Sequence, residues 1–145
     1  MSQAELPTVL IVDDEPHVVT LVRVTLEDES FRIIEATDGA QALAVAEEKI
    51  PRLILLDVRM PGLDGFEVCR RLRADPCFST TKIVMLTASG QEADRTRGIA
   101  AGADEYLTKP FSPLALLNLV HSLLSGETGW PEMSSFPRRS PTLGT

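Results

Sequence analysis

Three carboxylates, one hydroxyl and one ammonium in this chain each follow a short strand-like run. Asp13 and Asp14 follow Val9–Val12, Asp57 follows Leu53–Leu56, Thr87 follows Ile83–Leu86, and Lys109 follows Glu105–Thr108. Aliphatic runs of that length, cut off by polar or turn residues, read as strands buried on both faces, which puts each polar residue at a strand's C-terminal edge. In open parallel sheets that edge is where ligands bind. Three carboxylates converging within a few ångströms repel one another, and full ionisation is disfavoured unless a cation lies among them. An all-oxygen donor set selects a hard ion, Mg2+ first, with Mn2+ as a substitute. A phosphoryl group on Asp57 would offer oxygens to the metal, to the Thr87 hydroxyl and to the Lys109 ammonium, which together neutralise the charge that develops during transfer. Ala88 leaves the approach uncrowded. Taken singly, each residue has a plainer reading: Asp13 and Asp14 as acids favoured at a helix N-terminus, Thr87 as a strand-end cap, Lys109 as a solvated loop charge. Their convergence at one sheet edge argues for a site.

Strand and helix alternate along the chain to build that edge. After Val9–Val12, Pro16 suits the first turn of a helix, where a missing N–H costs nothing, and Val19, Val22 and Leu26 recur at helical spacing. A second strand is expected over Phe31–Glu35, then a helix from Asp38-Gly39 whose Leu43, Ala46 and Ile50 share a face and which Pro51 closes. The third strand stops at Asp57 and the Pro61-Gly62 turn. Asp64 reads as the cap of a third helix carrying Phe66, Cys69 and Leu72 or Arg73. A fourth helix, Gln91–Ala101, contains Gly98, which costs about 1 kcal/mol against Ala and predicts the least rigid helix of the five. Ser112-Pro113 supplies cap and first residue of the last. Five such units with short connections imply an α/β fold, a doubly wound five-stranded parallel sheet covered on both faces as a three-layer sandwich.

At 145 residues the chain is one domain, large enough to bury a core without disulfide or metal staples. Its net charge of -7, with basic residues scattered rather than clustered, argues against direct nucleic acid binding. Cys69 and Cys77 match neither zinc nor redox spacing and are expected as reduced cytoplasmic thiols. Met1–Pro7 has no Lys, Arg or apolar run, so no signal peptide is expected, and no membrane span, which needs about 20 apolar residues, is visible. His17 and His121 lack metal-ligand spacing.

The set Asp13-Asp14, Asp57 ahead of Met60-Pro61-Gly62 and Asp64-Gly65, Thr87-Ala88, and Lys109-Pro110-Phe111 resembles the receiver domain of two-component response regulators, the CheY-like family. The likeness covers about residues 8–124, and its motifs in order are specific where any one alone is weak. It implies the flavodoxin-like strand order 2-1-3-4-5. It implies that Asp57 accepts phosphate from a histidine kinase, a phosphotransfer protein or a small phosphodonor, and that Asp14, Asp57 and the Arg59 backbone carbonyl ligate Mg2+ while Asp13 acts through water. Thr87 and Tyr106 would be the switch pair, Lys109 the partner of the phosphate, and Lys109–Pro110 a cis peptide bond. Only the carbonyl of Arg59 has a prescribed role; its guanidinium is free to lean over the carboxylates or the phosphate and to alter the phosphoryl lifetime. For Tyr106, half-buried packing is the plainer alternative.

The expected organisation is an N-terminal extension over 1–7, the receiver domain over 8–125, and a Pro-, Ser-, Thr- and Gly-rich tail over 126–145 that reads as disordered or linker-like. Trp130 and Phe136 are the tail's large anchors, either docking back or leading toward an output domain. Ser112–Ser125 has no charged residue, and two apolar rows, Leu116-Leu119-Leu123 and Leu117-Val120-Leu124, exceed what one core stripe needs, which points to a partner or to cover by the tail; the resemblance, in which the fourth helix, fifth strand and fifth helix form the output face, implies a homodimer or a downstream protein target there. The other function class is a Mg2+-dependent phosphohydrolase with an aspartyl nucleophile. Such enzymes resemble a pattern with a second Asp two residues after the nucleophile, where this chain has Arg59. The expectation is therefore a phosphoacceptor that catalyses only its own phosphorylation and dephosphorylation, not an enzyme acting on outside substrates.

Overall fold

Alternation along the strands divides the core in two. The computed structural model describes residues 6–27, 29, 31–88 and 92–124. In chain order the elements are β1 (Thr8–Val12), α1 (Pro16–Glu27), β2 (Arg32–Ala36), α2 (Gly39–Lys49), β3 (Leu53–Asp57), α3 (Gly65–Arg73), a 3-10 turn (Pro76–Phe78), β4 (Lys82–Thr87), α4 (Glu92–Ala101), β5 (Glu105–Thr108) and α5 (Pro113–Leu124). All strand pairings are parallel, in the order β2-β1-β3-β4-β5, so the flavodoxin-like doubly wound sandwich is present. Leu10, Val12, Ile54, Leu56, Ile83 and Met85 point to one face and pack with residues of α2, α3 and α4. Their neighbours Val9, Ile11, Leu53, Leu55, Val84 and Leu86 point to the other and pack with α1 and α5. Side chains alternate across a strand, so a continuous aliphatic run feeds both layers at once. The expected tail over 126–145, with Trp130 and Phe136, and most of the expected extension over 1–7 lie outside the described residues, as does the expected first residue of the fourth helix, Gln91.

Local chemistry sets the helix ends. Asp38 and Asp64 each accept a backbone N–H three residues on, from Gln41 at 2.8 Å and Glu67 at 2.9 Å, and Ser112 Oγ accepts from Ala115 at 3.0 Å. Details of phase and boundary differ from expectation. In α1 the buried row is Val18, Val22 and Leu26, with Val19 only partly buried, because two side chains one position apart both satisfy helical spacing and the tilt of the helix on the sheet chooses between them. In α2 the row is Gly39, Ala42 and Ala46; Ile50 is 44% exposed and caps the helix at φ 43°, its N–H donating to the Ala46 carbonyl at 2.8 Å. Strand β2 begins one residue late, leaving Phe31 buried just before it. In α3 Leu72 is the core residue. Arg73 instead donates to the carbonyls of Gly102 at 2.8 Å and Phe78 at 2.7 Å and pairs with Asp104 at 2.6 Å, tying α3 to the end of α4 and the start of β5.

Gly98 has a packing role. A Cβ there would lie 3.3 Å from Met85 Cγ and 3.9 Å from Phe66 Cε1, so the missing side chain lets α4 approach the sheet closely. Helix α5 buries Leu116, Val120 and Leu124 as one row, flanked by partly buried Leu117, Leu119 and Leu123 that touch the same core. The two expected apolar rows therefore merge into one broad stripe, and the large hydrophobic residue α5 leaves out in solvent is Leu114, 66% exposed. Cys69 is buried and Cys77 exposed, both as free thiols. Among the described residues no helix is long and apolar enough to cross a membrane.

Candidate functional site

Four elements deliver the site to the C-terminal edge of the sheet. Asp13 extends β1 by one residue, its N–H donating to the Ala36 carbonyl at 3.1 Å, and Asp57 ends β3 opposite Leu86. Thr87 ends β4, and its carbonyl accepts the Lys109 N–H at 2.7 Å, which carries the β4–β5 ladder past the strand and sets the lysine over the carboxylates. The Lys109–Pro110 bond is cis. Gly65 lets the start of α3 lie close against the end of β3: a Cβ there would stand 2.4 Å from the Asp57 carbonyl oxygen and 2.9 Å from Val58 Cα.

Asp13 is fully buried, Asp57 is 5% exposed, Thr87 is 2% exposed, and Asp14 faces solvent. One carboxylate oxygen from each of Asp13, Asp14 and Asp57 lies within 4.8 Å of the others. Asp57 Oδ1 accepts the Arg59 N–H at 3.2 Å, and Asp13 Oδ1 accepts the Glu15 N–H at 2.9 Å. Lys109 Nζ lies 2.9 Å from Asp13 Oδ2, 2.8 Å from Glu15 Oε1 and 3.5 Å from Asp57 Oδ1. Burial pushes the Asp57 carboxyl up to about 6, the Asp13 charge adds to the push, and Lys109 and the Arg59 N–H oppose it. For Lys109, burial works against the charge, but the hydrogen bond to Glu15, the close ion pair with Asp13 and the charge of Asp57 outweigh it and hold the ammonium above the ordinary lysine range.

Three carboxylate oxygens at this spacing suit a hard divalent cation, which prefers oxygen donors and keeps several waters. Asp13 Oδ2 strengthens the fit: it is buried, has Lys109 as an ion-pair partner, yet accepts no well-aligned hydrogen bond. A buried carboxylate oxygen left that way is costly unless a cation or ordered water completes it.

The carboxylates open onto a cavity of about 570 Å3. Asp14, Asp57, Arg59 and Lys109 line its polar end, and Val18 and Phe111 belong to its apolar wall. The expected residues Asp13, Asp14, Asp57, Thr87 and Lys109 are thus brought to one edge, and Arg59 follows Asp57 with its side chain at the cavity. Tyr106 does not line it; it pairs with Met85 in the sheet, half-buried, with the Arg95 guanidinium 5.2 Å from its ring centroid. His17 lies at the rim, and His121 stands 3.9 Å from Glu29, apart from the carboxylates. Glu15 has no place in the expected set. Its signal in the sequence is faint: a third acid directly after Asp13-Asp14, readable as an ordinary negative charge just ahead of α1.

Residues 9–121 match the family described as response regulator receiver domain. Transcriptional regulatory protein ResD of Bacillus subtilis is 43% identical over 142 residues, 98% of this chain and 57% of that protein. Alkaline phosphatase synthesis transcriptional regulatory protein PhoP, from the same organism, is 46% identical over 116 residues, covering 80% of this chain and 48% of PhoP. The chain thus spans about half the length of these relatives. Among solved structures, the chemotaxis response regulator CheY4 of Vibrio cholerae superposes with a TM-score of 0.79 at 35% identity, over 82% of this chain and 99% of that one. The receiver domain of sensor histidine kinase PA1611 from Pseudomonas aeruginosa, a structure with a magnesium ion coordinated in its active site cleft, does so at 0.74 and 33%, over 80% and 95%. With the match running through every strand of the sheet, the chain belongs to the response regulator receiver domain family.

Proposed function

We propose that residues 8–125 act as the phosphoacceptor of a two-component signalling route, with Asp57 as the acceptor. An Asp57 oxygen attacks the phosphorus of a phosphohistidine on a histidine kinase or phosphotransfer protein, or of a small phosphodonor; the bond from phosphorus to the donor breaks, and the donor leaves with the electron pair. The observation that carries this reading is the setting of Asp57: nearly buried, lining a cavity, with two further carboxylates and one ammonium around it, the one place among the described residues where three such metal-ligating side chains meet. Asp13, Asp14, Asp57 and the Arg59 carbonyl would hold Mg2+, or Mn2+ in its place, and the ion supplies charge neutralisation for the incoming phosphoryl oxygens. Lys109 pairs with the phosphoryl group from the opposite side. Thr87 supplies a hydroxyl at the same edge, and with Tyr106 it would pass the change to the α4–β5–α5 face that a partner reads.

That partner is a downstream protein, an output domain joined to the receiver, or a second copy meeting it through α5, where Leu114 stands exposed. RpaA of Synechocystis, of which this chain spans 49%, is a DNA-binding regulator, but this chain's own net charge of -7 is the wrong sign for a phosphate backbone. Incubation with acetyl phosphate and Mg2+, followed by intact mass measurement, tests the reading. One phosphoryl group per wild-type chain and none on Asp57→Asn supports it. No mass gain in the wild type overturns it, and multiple turnover of a phosphate ester would replace it with the phosphohydrolase reading.

A further inference from the structure

The lysine assigned to the phosphoryl group is engaged elsewhere in the unmodified protein. Its contact with Glu15 is a hydrogen bond of 2.8 Å, whereas Asp57 Oδ1 stands at 3.5 Å, outside the usual range of about 2.7–3.2 Å. The backbone of Glu15 is anchored: its N–H donates to Asp13 Oδ1 at 2.9 Å, and its carbonyl accepts from Val18 and Val19 at 3.1 and 3.2 Å. From that fixed base the side chain, 47% exposed, reaches across the cavity mouth to Lys109. The two carboxylates nearest the ammonium therefore differ in kind. Asp13 is fully buried, while the exposed Glu15 carboxylate loses little by exchanging the lysine for solvent. Lys109 in turn holds the Glu15 carboxyl below the usual carboxylate range.

We propose that Glu15 is a positioning residue: it restrains Lys109 away from Asp57 in the unmodified protein and yields the lysine when phosphoryl oxygens arrive. This rests on the phosphoacceptor reading of Asp57. An ammonium has three N–H donors; Glu15 and Asp13 both stand closer to it than Asp57 does, so its approach to Asp57 is a compromise among three anions. A phosphoryl group adds charge and three strong acceptor oxygens at Asp57, which shifts the balance toward that side, and the freed Glu15 carboxylate returns to water. Glu15 thereby sets how readily the lysine serves an incoming donor, without touching the phosphoryl group itself.

The test separates reach from charge. Glu15→Gln removes the charge; Glu15→Asp keeps it but withdraws the carboxylate by about 1.5 Å, one carbon–carbon bond, out of contact with Lys109. On the full chain with acetyl phosphate and Mg2+, both variants are expected to phosphorylate about two- to fivefold faster than wild type, the scale of one exposed ion pair. Both are also expected to bind beryllofluoride more tightly by a similar factor. In the unmodified variants the Lys109 ammonium 15N resonance is expected to move toward its position in beryllofluoride-bound wild type, a signature that a merely structural role for Glu15 would leave in place. Acceleration in Glu15→Gln alone means that only the local field matters and overturns the proposal, as do unchanged or slower rates in both. A wild type that takes up no phosphate defeats the underlying reading instead, so the two failures are distinguishable.

Discussion

Replacing Asp57 by Asn is expected to stabilise the metal-free protein at neutral pH, although it removes the proposed phosphoacceptor. Folding moves the Asp57 carboxyl from its ordinary 3.8 up to about 6, burial first and the Asp13 charge second. Each unit is worth about 1.4 kcal/mol, which bounds the cost of ionising Asp57 in the folded state at roughly 3 kcal/mol. Water reaching the cavity mouth screens this to about 1–2 kcal/mol. The sign follows from proton binding. Below pH ~4 both folded and unfolded chains keep the proton and ionisation costs nothing. Between pH ~4 and ~6 the unfolded chain releases its proton first, so wild type loses stability as pH rises, and above ~6 the loss is complete. The Asn variant has no such titration. Urea unfolding followed by circular dichroism in EDTA, from pH 3.5 to 8, should therefore show a stability gap that opens across that window in favour of the variant and reaches about 1–2 kcal/mol, or about 3–10 °C in Tm for a domain of this size. Adding Mg2+ should raise wild type more than the variant, since a ligand stabilises the state it binds, and narrow the gap. A gap independent of pH, or one that widens with Mg2+, would refute the electrostatic argument.

Three further outcomes are expected. Asp13→Asn should weaken Mg2+ binding by about tenfold or more in isothermal titration calorimetry, because it removes the buried carboxylate whose Oδ2 lacks an aligned donor. Gly65→Ala should cost about 1–3 kcal/mol in urea unfolding and slow phosphoryl uptake, since the added Cβ would stand 2.4 Å from the Asp57 carbonyl oxygen and must push the end of β3. Arg73→Met should destabilise the fold by about 2–4 kcal/mol with phosphoryl uptake by the remaining folded protein unchanged, because it strips donors from two carbonyls and breaks the pair with Asp104 far from the carboxylates.

The elements and their chemistry could be read along the chain because each rests on local pattern. Runs such as Leu53–Leu56 fill both layers of a parallel sheet and little else, and Asp38, Asp64 and Ser112 cap helices through bonds that span only three residues. The convergence of Asp13, Asp57, Thr87 and Lys109 was also legible, since parallel strands that share a direction deliver their ends to one edge. Whether Val18 or Val19 faces the core was not, nor the left-handed cap at Ile50, because helical spacing tolerates both phases until a helix is set down on a particular sheet. Glu15 is the instructive miss. Its partner Lys109 is 94 positions away, and an acid at the start of a helix has a sufficient local explanation. Sequence alone determined the kinds of charge that meet at this sheet edge; only the tertiary structure decided their distances, and with them which carboxylate holds the lysine, because the difference between 2.8 and 3.5 Å depends on how elements distant in the chain are set down on one sheet.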